Sequence, residues 1–452
     1  MTAALPTVRH EARSLIRLAV PIVMSLAAAT LIGVIDTIMI APLGTVPLAG
    51  AALTTALLFV LYAGLYGFAS VAGVRVAEAV GNNNAEALSR ATYTALVVAS
   101  VAGVIGMCVM LALFFALPML GQPQEVLEAL PGYWVTMAIS LVPFILFYAL
   151  KSLFDATDQA WLGVAVAFFA VLINVPANYL LIHGIGGWPG LGLTGAGVAS
   201  LFSQTASLGL LWWLWRRLPA FKDSRLPIPM TRQELRVQVT QGGVIAAGYI
   251  SEGGAYAVAA LMMGWFGAAA LAANQIVNSL GGVLYMLPLG VAIAVSIRIG
   301  QAVGAEERER LTTIGRAALG IIIGWMSLAM LAVLALRGVI TRALSDDPEV
   351  ISIALTLFVI TAIMQIFDGI QGTMLGAARG ITDNVVPVSI TLVAYWIVAL
   401  PLAYALGVWS DWGPGGVWIG YGSGVALAGS LITWRFFRMA RAGPLAKTGA
   451  QA

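Results

Sequence analysis

The sequence predicts an all-α integral membrane protein with 12 transmembrane helices, arranged as two six-helix bundles that are related by a parallel internal repeat. Three observations lead to this fold class. Of the 452 residues, 60% are hydrophobic and only 10% are charged, whereas soluble domains carry about 25% charged residues. Apolar stretches of about 20 residues, the length that crosses a bilayer as a helix, recur along the chain. The second half of the sequence repeats the first.

Breaks at Pro, Gly and charge clusters divide the chain into twelve apolar spans. They cover residues 16–40, 48–78, 92–118, 132–155, 161–183, 192–215, 238–264, 272–299, 314–336, 351–377, 386–408 and 416–438. The segment 1–17 is too polar, and the span after it is too long, for a cleaved signal peptide. The single cysteine, Cys108, lies inside a span, so a disulfide framework is excluded and this residue is expected to be a buried packing residue.

The Lys and Arg residues predict the orientation, because positive charges in short loops are retained on the cytoplasmic side. With the N-terminus inside, all but two of the 23 Lys and Arg residues, Lys447 included, fall on the cytoplasmic side. The exceptions are Arg337 and Arg342. We therefore expect a multi-pass protein with both termini in the cytoplasm. The lack of long soluble tails and of a targeting segment favours a cell inner membrane. No basic stripe is interleaved with aromatic residues, so a nucleic acid is not an expected partner.

An internal repeat becomes visible when the second half of the chain is aligned with the first in a single register. This register aligns Gly44 with Gly267, Tyr62 with Tyr285 and Arg75 with Arg298, and it matches "GVRVAEAVGNNNAEAL" with "SIRIGQAVGAEERERL". Because one repeat contains six spans, an even number, the two halves share one orientation in the membrane.

The repeat and its Pro-rich junction predict the domain organisation. Residues 1–218 form an N-terminal six-helix lobe, 219–237 a cytoplasmic linker, and 238–452 a C-terminal six-helix lobe. Two bundles joined in this way are typical of a transporter whose substrate site lies between the halves. The alternative is a duplicated helical scaffold that transports nothing.

Three carboxylates lie well inside the spans: Asp36 in "LIGVIDTIMIAPLG", Glu252 and Asp368. A charged residue at mid-membrane costs about 2.5–3.5 kcal/mol on insertion scales, and no Lys or Arg is placed to neutralise these three. Lys151 pairs instead with Asp155, one turn further on. A proton, a small cation or a cationic solute remains as the partner, and competition between two cations for one site is antiport. The alternative is a permanently protonated carboxyl group with a structural role.

Polar and aromatic residues accompany the acids. Asn174 and Asn178, four residues apart, can ligate a cation through their carbonyl oxygens, or they can join helices by hydrogen bonds. Tyr256 follows Glu252 by one turn, where its ring suits a flat organic cation or simple core packing. Further amides would line a polar cavity: Asn274, Gln275, Asn278, Gln365 and Gln371.

At these residues the chain resembles the multidrug and toxic compound extrusion (MATE) transporters, in particular the NorM-type branch. The resemblance runs from about residue 15 to 440. It is carried by "DTIMIAPLG", by "RVAEAVGNNNAEA" and its second copy "RIGQAVGAEERER", by "SEGGAYAVAALMMGWFG" around Glu252, and by "FDGIQGTMLGAARGITDNVVP" around Asp368.

The resemblance implies a two-lobed, 12-helix exporter of cationic amphiphilic drugs and toxins that works by alternating access, in exchange for Na⁺ or H⁺. It implies that Glu252 and Asp368 form the cation site, a candidate Na⁺ site, with Tyr256 nearby. Asp36, Asn174, Asn178 and Thr194 would form a polar cluster in the N-terminal lobe. Some proton-coupled relatives carry Asp at the position of Asn178, so the amide here favours sodium.

Two other functions are alternatives to the export of cationic compounds. A flippase for lipid-linked saccharides shares the fold within the same superfamily, but it would favour a cationic cavity for pyrophosphate, and the mid-membrane charges here are acidic. An integral-membrane enzyme needs a nucleophile, a base and oxyanion donors or metal ligands at one depth, and the sequence offers no such set. We therefore expect a non-enzymatic monomer without a cofactor, whose partners are small organic cations, Na⁺ or H⁺, and the lipid bilayer.

Overall fold

The computed structural model describes residues 7–120 and 122–442, and α-helices make up most of this part of the chain. In chain order these helices are α1 (Val8–Ile40), α2 (Thr45–Gly81), α3 (Ala85–Phe114), α4 (Gln124–Ala129), α5 (Pro131–Ala156), α6 (Ala160–His183), α7 (Leu193–Arg217), α8 (Arg232–Met263), α9 (Ala268–Gly304), α10 (Arg308–Leu344), α11 (Pro348–Gly380), α12 (Val385–Val393), α13 (Leu400–Tyr404) and α14 (Gly413–Arg441). Both chain ends and Lys447 lie outside the described residues.

The described residues fit the predicted fold of twelve membrane-spanning helices. Over the two described ranges, eleven helical segments are long and apolar enough to cross a bilayer, and α12 and α13 count as one of them. The twelfth is α7, which has 25 residues. It carries several buried polar side chains, among them Ser200, Ser203 and Ser207.

Cys108 corrects one expectation, since its side chain is exposed rather than buried. It lies on α3, whose buried positions include Gly103, Gly106 and Met110. Residue 108 is turned to the opposite side of the helix by the helical period. Cys108 therefore contributes nothing to the core.

The turn between α2 and α3 shows how the sequence sets local structure. The Asn84 side chain accepts a hydrogen bond from the backbone N–H of Ala87 at 2.9 Å and so caps α3. Asn83, just before it, has a φ of 49°, and Glu306, which occupies the same place in the second repeat, has a φ of 59°. The internal repeat thus extends to the backbone conformation of this turn.

Glycine is required at the ends of α1 and α8. A 3-10 turn follows each helix, Ala41–Leu43 and Gly264–Phe266, and each turn ends at a glycine with a positive φ, 106° at Gly44 and 96° at Gly267. Residues with a Cβ avoid this region. The two glycines let the chain reverse directly into α2 and α9.

The helices group into two compact units. One consists of residues 24–246, and the other takes the residues up to 23 and those from 247 onward. The predicted lobes follow chain order, whereas in the structure the first segments of α1 and α8 each group with the helices of the other half. The two boundaries, at Val23 and Ala246, are equivalent positions in the two repeats.

The unit of residues 24–246 is built around α5, which packs against α2, α3 and α7. Leu141, Ile145 and Phe154 of α5 are fully buried. The start of α8 joins this unit through the Gln238 amide, which donates a hydrogen bond to the carbonyl oxygen of Phe68 at 2.9 Å.

The chain between α7 and α8 is docked on the same unit. Ser224 is fully buried and accepts a hydrogen bond from the Trp215 indole at 2.8 Å. The Ser89 hydroxyl of α3 donates to the carbonyl oxygen of Leu226 at 2.7 Å. The stretch up to residue 226 is therefore held against α3 and α7.

The other unit is built around α11, which packs against α9, α10 and α14. Glu11 of α1 belongs to it and is fully buried. Its carboxylate accepts a hydrogen bond from Arg310 Nε at 2.6 Å and lies 3.6 Å from Arg298 Nη2. These two arginines hold the start of α1 against α9 and α10.

Candidate functional site

Asp36 of α1 lies in a polar cluster, the Asp36 cluster, formed with Asn174 and Asn178 of α6 and Ser200 and Ser203 of α7. Asn178 Nδ2 donates to Asp36 Oδ1 at 2.5 Å, and the Ser200 hydroxyl donates to Asp36 Oδ2 at 2.7 Å. Both asparagines are fully buried. Each oxygen of the carboxylate therefore accepts a hydrogen bond from a neutral donor, and no base takes part.

The amide of Asn178 has a fixed orientation. Its nitrogen faces two acceptors, Asp36 Oδ1 and, at 3.0 Å, Asn174 Oδ1. Its own oxygen, Oδ1, is buried and accepts no hydrogen bond within the described ranges. The cluster thus offers an unused carbonyl oxygen beside a carboxylate.

The second group of acids, the Glu252 cluster, consists of Glu252 of α8, Asp368 and Gln371 of α11, and Tyr395. The Tyr395 hydroxyl lies 3.4 Å from Glu252 Oε1 and 2.8 Å from Gln371 Oε1. Glu252 and Asp368 are close enough to interact electrostatically. Asp368 makes neither a hydrogen bond nor an ion pair with any residue that the structure describes.

Arg379 of α11 is a base that acts electrostatically on this cluster. It is 8% exposed, its guanidinium lies 5.5 Å from the Tyr249 ring centroid, and its charge reaches Glu252 across space. It makes no ion pair with Glu252 or Asp368 among the described residues. Glu252 thus lies within the electrostatic reach of a positive charge but forms no ion pair with it.

Aromatic rings line one side of the acids. The Tyr256 ring contacts Trp418 at 5.4 Å and Tyr421 at 6.0 Å between centroids. Tyr421 stacks on Tyr395 at 5.6 Å with an interplanar angle of 14°. The Glu252 cluster therefore combines negative charge with flat ring faces, the two features that bind organic cations.

The chain was compared with known proteins. The profile of the MatE family matches residues 21–180 and 245–405, which include the span of each acid and most of both repeats. The chain belongs to the MATE family. A probable multidrug resistance protein NorM from Deinococcus radiodurans is 32% identical over 96% of both chains, and one from a Synechococcus strain is 30% identical over 96% of both.

Solved structures of MATE transporters share the fold. The bent form of VcmN from Vibrio cholerae matches with a TM-score of 0.87 at 19% identity, covering 96% of this chain and 97% of VcmN. A eukaryotic MATE transporter matches with a TM-score of 0.83 at 20% identity, covering 96% and 99%. These structures show that the fold is shared, and membership of the MATE family makes the chain a multi-pass membrane transporter rather than an enzyme.

The other residues predicted for the site of this MATE transporter make no hydrogen bond with either cluster among the described residues. Thr194 is the second residue of α7, where Gly132 of α5 faces its side chain. It makes no hydrogen bond with the Asp36 cluster within the described ranges. Gln275 is exposed and Asn278 is half-buried on α9, while their neighbour Asn274 accepts a hydrogen bond from the Trp418 indole at 3.0 Å.

Three contributors were not among the predicted site residues: Ser200, Ser203 and Tyr395. The serines leave a signal in the sequence, because Ser200, Ser203 and Ser207 recur every three to four residues and so share one face of α7. Tyr395 leaves none, since a single tyrosine in an apolar span is common.

Proposed function

We propose that this MATE transporter is an antiporter that exports cationic amphiphilic drugs and toxins in exchange for Na⁺ or H⁺. The observation that carries the proposal is the pair Glu252 and Asp368. Both acids lie on membrane-spanning helices, and neither has an ion-pair partner among the described residues. A charge in this setting needs compensation from a cation that comes from solution.

The Glu252 cluster supports competition between two kinds of cation. A proton or a sodium ion can neutralise one acid through the carboxylate, amide and phenol oxygens that surround it. An organic cation can use the same acids and the rings of Tyr256 and Trp418. Both kinds of cation need the negative charge of the same acids, so binding of one displaces the other. Such mutually exclusive binding is the condition for exchange.

The Asp36 cluster supports a second cation site. The carboxylate and the unused Oδ1 of Asn178 are oxygen ligands of the kind that hard cations prefer. The hydrogen bonds from Asn178 and Ser200 offset part of the cost of burying the charged form of Asp36, which is the form that a cation binds.

The charge distribution supports the membrane orientation that we propose. Arg298, Arg310 and Arg379 lie toward those ends of α9, α10 and α11 that the positive-inside rule assigns to the cytoplasm, whereas Arg342 lies at the other end of α10. We infer a cell inner membrane location with cytoplasmic termini, and a monomer as the working unit.

Efflux of a fluorescent organic cation from proteoliposomes tests the proposal. An inward Na⁺ gradient at clamped pH, or a pH gradient without Na⁺, should drive efflux. Glu252→Gln and Asp368→Asn should each lower the rate at least about tenfold, because an isolated polar group cannot replace the negative charge. Glu86→Gln is the matched control, since Glu86 is exposed at the start of α3, where it pairs with Arg90.

An absence of flux in the parent protein under both gradients would contradict the antiporter. Translocation of a lipid-linked saccharide by the same proteoliposomes would then indicate the flippase function. Flux that survives both substitutions would place the coupling site elsewhere in the chain.

A further inference from the structure

The hydroxyl group of Tyr395 lies between two acceptors that it cannot serve together. It is 2.8 Å from Gln371 Oε1 and 3.4 Å from Glu252 Oε1. Tyr395 and Gln371 are each 1% exposed, so both side chains are shielded from bulk solvent. A phenol has one proton to donate. Only one of the two acceptors can therefore have the full hydrogen bond at a given time.

The charge on Glu252 decides which acceptor has it. A bare carboxylate attracts the hydroxyl proton more strongly than a neutral amide oxygen does. Once a proton or a cation neutralises Glu252, this advantage is lost and the hydroxyl donates to Gln371. The oxygen lone pairs of Tyr395 then face Glu252, where they can accept a hydrogen bond from the protonated acid or ligate a cation.

Gln371 links the hydrogen bond of Tyr395 to the second acid, Asp368. It lies three residues after Asp368 on α11, and therefore on the same face of that helix. Its Oε1 accepts no other hydrogen bond among the described residues. When Tyr395 turns to Glu252, this buried oxygen loses its donor, which is unfavourable. A bare Glu252 carboxylate thus weakens the hydrogen bond between Tyr395 and Gln371 of α11. A Glu252 that carries a proton or a cation restores this hydrogen bond.

The surrounding structure holds the Tyr395 ring in place, so that only the hydroxyl hydrogen can rotate between its two acceptors. Residues Ala394–Ala399 form a π-helical turn, a feature that is frequent at functional sites. Within it, the Trp396 indole donates to Ser251 of α8 at 2.8 Å, so two consecutive residues reach two consecutive residues of α8. The stack of Tyr395 on Tyr421 holds the other side of the ring.

We propose that Tyr395 is the coupling switch of the Glu252 cluster, a positioning residue whose hydroxyl donates to Glu252 when the acid is bare and to Gln371 when it is loaded. The proton stays on Tyr395 throughout, and no covalent bond changes. This inference rests on the proposed antiport function. It adds to that function a residue that transmits the loading of one acid to the helix that carries the other.

Several charged or titratable groups face Glu252 besides Tyr395. They are Asp368 and Arg379 of α11, Tyr285 of α9 and Tyr421 of α14. Asp368 and Arg379 act with opposite sign on the carboxylate. None of the four is changed in the variants below, so their influence is the same in every comparison.

Displacement of tetraphenylphosphonium from the purified protein by protons, without Na⁺, tests the switch. Tyr395→Phe removes the donor that stabilises the bare Glu252 carboxylate, so half-displacement should move to higher pH by about one unit, a tenfold change in proton concentration. Gln371→Leu removes the competing acceptor and leaves the hydroxyl to Glu252, so half-displacement should move to lower pH. Tyr404→Phe, an exposed tyrosine of α13, is the control and should match the parent.

Opposite shifts are the signature, because a merely structural disturbance has no reason to change sign between two neighbours. In a Glu252→Gln background, Tyr395→Phe should leave the midpoint unchanged within about twofold in proton concentration. Shifts of the same sign, no shift, or an equal shift in that background would overturn the switch while leaving antiport intact. A parent protein that binds no tetraphenylphosphonium, or releases none to protons, would overturn both.

Discussion

Asp36 and Asp368 show two ways to keep a carboxylate inside a membrane protein. Asp36 accepts hydrogen bonds from Asn178 and Ser200, and these donors stabilise its charge. Asp368 has no such donor within the described chain, so its charge depends on what binds. The two acids therefore differ in how much the protein itself stabilises a negative charge.

Ser200→Ala should make Asp36 easier to protonate, because it removes one of the two donors to the carboxylate. A hydrogen bond to a charged group contributes about 1.5–3 kcal/mol, so the proton concentration for half-protonation should fall about tenfold or more. Labelling of Asp36 by a hydrophobic carbodiimide, followed by mass spectrometry against pH, measures this in a Glu252→Gln, Asp368→Asn background. Ser207→Ala is the control, since its hydroxyl donates to the carbonyl oxygen of Ser203. A labelling curve of Ser200→Ala that overlays the parent would contradict the role of this donor.

At the residue scale, the sequence identifies the buried acids but not the side chains that donate hydrogen bonds to them. Asp36, Glu252 and Asp368 stand out because a charge in an apolar span is costly. Ser200 lies 164 residues from Asp36, and Tyr395 lies 143 residues from Glu252. Neither residue type is unusual in a span, and only the folded chain brings each to its acid.

Helix α5 carries a charge pair that the sequence predicts. In the structure this pair is buried rather than exposed on the helix surface. Lys151 Nζ lies 2.7 Å from Asp155 Oδ2 and 3.0 Å from Oδ1, one turn apart, and both side chains are 5% exposed. A pair of this spacing on a helix surface contributes a few tenths of a kcal/mol. Because this pair is buried, removing one partner leaves the other as an uncompensated charge, which costs far more free energy.

Asp155→Asn should destabilise the protein by about 3–5 kcal/mol, because it leaves the Lys151 ammonium buried without its counter-charge. The double variant Lys151→Met, Asp155→Leu should recover most of that loss, since it removes both charges. SDS titration followed by circular dichroism measures the free energy of unfolding. A double variant as unstable as Asp155→Asn would show that the shape of the site matters rather than the charge.

Helix positions follow from the sequence better than helix irregularities do. The predicted spans 48–78 and 272–299 lie inside α2 and α9, because long apolar runs leave few other conformations in a bilayer. The π-helical turns at Ala394–Ala399 and Ala405–Trp409 were not predicted. A shift of the hydrogen-bond partner by one residue leaves no trace in hydrophobicity, so the turn that positions Tyr395 could only be found in the structure.

Two close helix contacts, related by the repeat, hold the first segments of α1 and α8 in place. A Cβ on Gly67 of α2 would lie 2.5 Å from the backbone nitrogen of Ala246, and one on Gly290 of α9 would meet Cγ2 of Val23. The internal repeat aligns Gly67 with Gly290, and it aligns Val23 with Ala246. Each contact therefore fixes a first helix at the boundary between its two segments.

Gly67→Ala should destabilise the protein by about 1–3 kcal/mol, because the added methyl group meets backbone that cannot rotate away. Gly290→Ala should destabilise the protein as well, since the added methyl group meets the stiff β-branched side chain of Val23. Gly33→Ala is the control, with nothing within 4 Å of its Cβ position, and should be neutral or slightly stabilising. Thermal unfolding in detergent ranks the three. Equal melting temperatures for Gly67→Ala and Gly33→Ala would contradict the close packing.

The grouping of residues up to 23 with the second half, and of residues up to 246 with the first, has a consequence for the origin of the protein. Each half of the chain gives its opening segment to the other, which is the arrangement of a domain-swapped dimer whose subunits have been joined. An ancestral half-length chain would then have completed its fold only by exchanging that segment with a second copy. Duplication and fusion of its gene would have made the exchange permanent, and either half produced alone today would lack one segment of its own compact unit.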